Sequence, residues 1–143
     1  MVFAKLHPFL VHFPVGLFVS GVILDFYGRW QKEETAMAAG RFNVRFGFVC
    51  ALITGSVGLL GLLGLRVPDA ARTFVGFHFT GAAVTIVLFG TALVVDRWFS
   101  RKLTGRFIYM GLLVLGLGSV LATGYFGGEL VHRFGLATAQ PLN

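Results

Sequence analysis

Four histidines are the residues of this sequence best equipped for chemistry. Two of them, His7 and His12, lie in the opening stretch Leu6–Pro14, together with Pro8 and Pro14. The other two, His78 and His132, stand near the ends of later apolar runs. A neutral imidazole offers one lone pair to a metal and can also hold or release a proton near neutrality. Imidazoles delivered to one place by different segments would therefore make a ligand site, and the question is whether the chain brings them together.

The elements that must position them are membrane helices. Residues classed as hydrophobic make up 56% of the 143-residue chain and charged ones 13%, with a mean hydropathy of +0.81. Such values lie outside the range of ordinary soluble domains. Leu6–Leu24, Phe46–Leu65, Thr73–Val95 and Phe107–Gly128 contain no acidic or basic residue. Each is about the ~20 residues that cross a hydrocarbon core, and backbone groups in lipid must be paired within the segment, so each is predicted to be an α-helix. The expected fold is all-α: a transmembrane four-helix bundle in one domain over residues 1–143, with helices at about 6–28, 43–65, 73–97 and 105–128. The N-terminus has no basic n-region and no small-residue cleavage site, so the first run reads as a retained helix. The loop 29–45 has room for a short amphipathic segment near Glu33–Ala39, Pro68 ends the second helix, and the polar tail 135–143 is expected to lie loose on the surface.

Charge orients the bundle. The first and third loops carry Arg29, Lys32, Arg41 and Arg45, and Arg97, Arg101, Lys102 and Arg106, eight of the twelve basic residues. By the positive-inside rule these loops face the cytoplasm, which puts both termini on the outer, periplasmic side of a bacterial inner membrane. All four histidines then fall at the outer face, a result that depends only on the helix count. The net charge of +6 sits in short juxtamembrane clusters and forms no continuous stripe, which excludes nucleic acid as a partner. Cys50 is the single cysteine, so no disulfide, CxxC pair or CxxCH haem attachment is possible. No hydrolase, zincin, P-loop or dinucleotide-binding signature is present. Asp25 and Asp96 read as interfacial ion pairs with Arg29 and Arg97. No carboxylate falls at mid-membrane and no internal inverted repeat is visible, which argues against a proton-driven transporter.

His12 and His78 are the deepest histidines, and small residues follow each on its own face: Gly16 and Ser20 after His12, Gly81, Ala82 and Thr85 after His78. Gly47, Ala51, Thr54, Gly58 and Gly61 track one face of the second helix, and Gly116, Ser119, Thr123 and Gly127 one face of the fourth. Small residues beneath histidines leave space for a flat group. A b-type haem held by two axial imidazoles needs that space and cations near its propionates. The expected axial pair for the haem iron is His12 and His78, with Gly16 and Gly81 beneath the ring and Arg72, Arg133 and Lys5 at the rim. Small faces also serve plain helix packing, so the glycines alone do not decide. His7 and His12 are five residues apart, about 140° around a helix, and cannot grip one ion together. His7 precedes Pro8 and is expected at the helix cap, nearer water, as a secondary ligand, propionate partner or proton-exchanging group. Pro14 frees the Leu10 carbonyl and can bend this turn. His132 follows Gly127-Gly128-Glu129, and Glu129 is placed to orient it; with His7 it would allow a second haem.

The pattern Leu6-His7-Pro8-x-x-Val11-His12-Phe13-Pro14, with Gly127-Gly128-x-Leu130-Val131 and Gly135, resembles the bacterial four-helix membrane proteins grouped as domain-of-unknown-function family 2231 along essentially the whole chain. His78 matches a histidine near the start of that family's third helix. Where an aromatic such as Tyr is expected after Leu-Val, this sequence has His132. The resemblance implies an inner-membrane protein and, because some members stand beside or are fused to c-type cytochrome modules, a redox setting with c-type cytochromes or other respiratory subunits as partners. The expected function is an electron-transfer or accessory subunit rather than a stand-alone enzyme. The alternatives are a non-redox assembly or interaction subunit and a histidine metal or quinone site.

Overall fold

A computed structural model describes residues 2–99 and 102–136; Arg101 and most of the polar tail expected to lie loose (137–143) fall outside the described residues. The described residues are helical, in the order α1 (Val2–Leu10), α2 (His12–Gln31), α3 (Glu34–Leu63), α4 (Asp69–Phe99) and α5 (Leu103–His132). Only Val11 interrupts α1 and α2, and its backbone stays right-handed, so the two act as one span from Val2 to Gln31. Pro8 and Pro14 flank the interruption, each removing one helical donor. Four helices are thus long and apolar enough to cross a membrane, and the protein is a multi-pass membrane protein in contact with the lipid bilayer.

The helices are longer than the uncharged runs. A 30-residue helix such as α3 is about 45 Å long, more than a hydrocarbon core of about 30 Å, so charged turns at both ends continue the helix into the headgroup region. The long first loop with its separate amphipathic segment is therefore replaced by a tight link. Lys32 takes a left-handed conformation (φ 57°), the Glu33 amide donates to the Gly28 carbonyl at 2.8 Å, and α3 begins at once.

Two hairpins result, α1/α2 with α3 and α4 with α5, each closely packed, and they meet through α3 with α4 and α2 with α5. The core between them comprises Phe18, Val22, Val44, Phe89, Ala92, Tyr109, Leu113 and Val120. Large apolar residues such as Phe42, Leu59, Val87 and Leu121 face outward on every span, as lipid contact requires. In the first hairpin, α2 and α3 touch backbone to backbone: a methyl group on Gly40 would run into the Asp25 backbone and the Gly21 carbonyl.

The hairpins repeat one another. His7, Phe18 and Asp25 recur at identical intervals as His78, Phe89 and Asp96, and Thr54-Gly55-x-x-Gly58 recurs as Thr123-Gly124-x-x-Gly127. Both hairpins start at the same end of the bundle, so the repeat is parallel, a relation that a search for inverted symmetry does not see. Gly40→Ala should destabilise the protein by about 1–3 kcal/mol through overpacking, whereas Gly111→Ala, where nothing lies within 4 Å, should be neutral. Reversible unfolding in mixed detergent measures both.

Candidate functional site

The equivalent residues of the two hairpins meet each other. At one end the His7 and His78 rings stand 6.0 Å apart, centroid to centroid, at 87°. Further in, Phe18 and Phe89 stack at 3.8 Å and 9°. At the other end Asp25 and Asp96 are close enough to interact electrostatically. Like residues meeting like along a line is the contact pattern of a two-fold axis, here running along the bundle.

The histidine end is built by the same device twice. His7 Nδ1–H donates to the Thr54 carbonyl and His78 Nδ1–H to the Thr123 carbonyl, each at 3.0 Å. A carbonyl can only accept, so both bonds fix the proton on Nδ1 and leave the lone pair of each neutral imidazole on Nε2. Gly58 and Gly127 let the rings lie against the partner helix. A methyl group on Gly58 would come within 2.7 Å of His7 Cε1, and one on Gly127 within 3.0 Å of His78 Cε1. The glycines thus make room for imidazoles. The helices that carry them, α1 and α4, do not pack backbone to backbone among the described residues; only side chains cross between them.

The structure exchanges the places expected for the first two histidines. α1 starts at Val2, so His7 lies inside the helix and half-buried, while His12, about 140° further round, is exposed with Nδ1 bonded to the Phe9 carbonyl of its own turn at 3.2 Å. His78 therefore faces His7 and not His12. Gly16 opens onto empty space. Gly81 lies at the α4–α5 contact, its carbonyl accepting from Thr85 at 2.9 Å and Ser119 at 3.1 Å. His132 is exposed at the same end of the bundle, and Glu129 turns to Arg133 (3.6 Å) instead of to it. Arg133 lies over the Phe74 and Phe134 rings, and Arg72 pairs with Asp69 at 3.0 Å. These cations ring the histidine end without entering it.

The opposite end holds the carboxylates, and they are buried instead of interfacial. Asp25 is fully buried and takes both Arg29 Nε (3.0 Å) and Nη2 (3.3 Å). Asp96 reaches across to the other hairpin, 2.9 Å from Arg45 and 4.0 Å from Arg41. Arg97, its neighbour in sequence, lies over Trp98. Burying a carboxylate without such partners costs several kcal/mol, and the pairs of Asp96 with Arg41 and Arg45 also tie the two hairpins together. Tyr109 lies beneath Arg29, whose guanidinium sits 5.3 Å from the ring centroid. The paired carboxylates and the repeat behind them are the features that reading residue types in isolation misses; the recurring TGxxG and the equal His–Phe–Asp intervals are the signals that find them.

Neither a curated protein nor a solved structure shows detectable similarity to the chain. The family model described as "Predicted membrane protein (DUF2231)" matches residues 4–140. The chain, four spanning helices with a histidine pair at one end of their common axis, belongs to that family.

Proposed function

We propose that the protein is a b-type haem-binding subunit for electron transfer, with His7 and His78 as the axial ligands. The observation that carries this reading is the cross-hairpin imidazole pair. Metal–nitrogen bonds of about 2.0–2.1 Å bring two imidazoles that share one ion to a centroid separation of roughly 6 Å. The 6.0 Å of His7 and His78 fits. Both Nε2 atoms carry the free lone pair, and both Nδ1 atoms are tied to backbone carbonyls, the outer support that metal-ligating histidines use to fix tautomer and orientation. Two imidazoles would suffice to hold a haem iron, His7 and His78 being the residues that would do so, whereas a bare zinc ion takes four ligands. Haem, when bound, supplies one-electron chemistry.

The chain's own residues do the rest. The Thr54 and Thr123 carbonyls hold the imidazoles in the ligating tautomer, and Gly58 and Gly127 set their depth. The separation of α1 from α4 leaves the interface beside the rings to side chains alone. Lys5, Arg72 and Arg133 lie at the same end of the bundle for carboxylate groups. Phe18 and Phe89 close the axis below. Following the charge bias, we place this end on the outer side of a bacterial inner membrane, where c-type cytochromes or other respiratory subunits would be the exchange partners.

Detergent-purified protein from haem-replete cells should show a Soret band that sharpens on dithionite reduction, with resolved α and β bands. His7→Ala and His78→Ala should each abolish it, while His12→Ala and His132→Ala should leave it intact. A colourless wild type, or a spectrum lost with His12 and kept without His7, overturns the assignment. Gly58→Val and Gly127→Val should each weaken haem retention roughly ten-fold or more by displacing the supported imidazole, read by haem transfer to an apo-globin acceptor. For orientation, alkaline phosphatase fused after Leu65 should be active and fused after Lys32 inactive. The reverse pattern puts the histidine end in the cytoplasm.

A further inference from the structure

A cleft of about 570 Å³ opens at the carboxylate end, between the α2–α3 link and the start of α5. Its charged lining is Arg29, Lys32, Arg41 and Arg106, with one acid, Glu34. Its apolar lining, Met37, Leu103, Phe107 and Met110, alternates with the charged residues along α3 and α5. Leu103 and Phe107 are among the more exposed apolar residues of the chain, so the cleft opens onto the lipid-facing surface. We infer that the cleft binds the phosphodiester headgroup of an anionic membrane lipid, whose acyl chains descend along α5.

Three features carry this. With Arg29 and Arg41 paired to Asp25 and Asp96 and with Glu34 in the lining, Lys32 and Arg106 leave the cleft net positive at the depth where a spanning helix meets the headgroups, and basic pockets between helices at that depth take anionic headgroups. Lys32 and Glu34 lie at the helix ends while Phe107 and Met110 lie one to two turns further along α5, so a headgroup and the start of an acyl chain can both be met, which a free inorganic anion does not need. Arg29 and Arg41 are held beforehand by Asp25 and Asp96, so little side-chain freedom remains to be lost when a phosphate arrives. A guanidinium can bond a carboxylate on one edge and a phosphate on another, because it has five donors in a plane. The site is independent of the histidine pair at the far end of the bundle.

Native mass spectrometry of the full chain with equal phosphatidylglycerol and phosphatidylcholine tests it. Phosphatidylglycerol should be the retained adduct. Lys32→Gln and Arg106→Gln should each weaken its retention by roughly five-fold, the effect of one basic residue at a lipid surface, and the double variant by about twenty-five-fold. Arg66→Gln, which removes a charge at the opposite end, should leave it unchanged and controls for net charge. Equal retention of the zwitterionic lipid, or undiminished phosphatidylglycerol on a double variant that still elutes as the folded protein, overturns the proposal. Displacement of the lipid by millimolar inorganic phosphate overturns the lipid assignment and gives the cleft to the free anion.

Discussion

A polar group below the headgroups of a bilayer has no water to fall back on, and this chain answers that constraint with a small number of long-range bonds. Each histidine of the facing pair bonds a carbonyl of the neighbouring helix in its own hairpin. A helix carbonyl keeps a second lone pair after its own intrahelical bond, so the acceptor is available without opening the helix, provided the side chain can come close. The glycine one turn further along gives that approach. The carboxylates obey the same constraint differently. Asp25 is bonded within its helix, whereas Asp96 accepts a hydrogen bond at Oδ2 from Arg45 of the other hairpin and, among the described residues, has none at Oδ1. The histidine bonds build each hairpin and the aspartate bond joins them.

The repeat is kept where residues meet on the axis and lost where they do not. His, Phe and Asp recur, as do Thr54-Gly55 and Gly58 in Thr123-Gly124 and Gly127. Gly40, which lets α3 touch α2, has Tyr109 as its counterpart, and Arg41 and Arg45 correspond to Met110 and Val114. The substitution of tyrosine for glycine puts a buried ring under Arg29 of the opposite hairpin. With no such arginines on α5, Asp96 is paired from the other hairpin whereas Asp25 is paired within its own helix. The symmetry is retained in the histidine bonds and broken in the bonds that the two aspartates make.

Much of this architecture was legible in the sequence because hydrocarbon imposes a crude and strong rule: four runs of about twenty uncharged residues can only be four helices. The helix ends were less legible, since charged residues tolerate helix as well as loop once they reach the headgroups. The helix start bears directly on the site. Placing the first helix start at Leu6 instead of Val2 made His7 a cap residue and His12 the interior one. Spacing alone shows that the two face different directions; it does not say which direction faces the neighbour. Likewise Asp25 and Arg29, four apart on one helix, could be read as a pair. The expected pairing of Asp96 with Arg97 fails because adjacent residues point about 100° apart, and its partner Arg45 comes from α3. The parallel repeat was present in plain view in the recurring TGxxG.

The stacked phenyl rings of Phe18 and Phe89, both almost wholly buried, have an electrical consequence. From the histidine level to the aspartate level is about 27 Å along the helices, and the rings close the dry middle of that path. In an energised membrane most of the voltage falls across such a segment, at about 2.3 kcal/mol per elementary charge per 100 mV. The two polar ends are then separate compartments at different potentials. A charge moved between the histidine level and the aspartate level would cross most of that voltage, whereas one moved within either end would cross little of it.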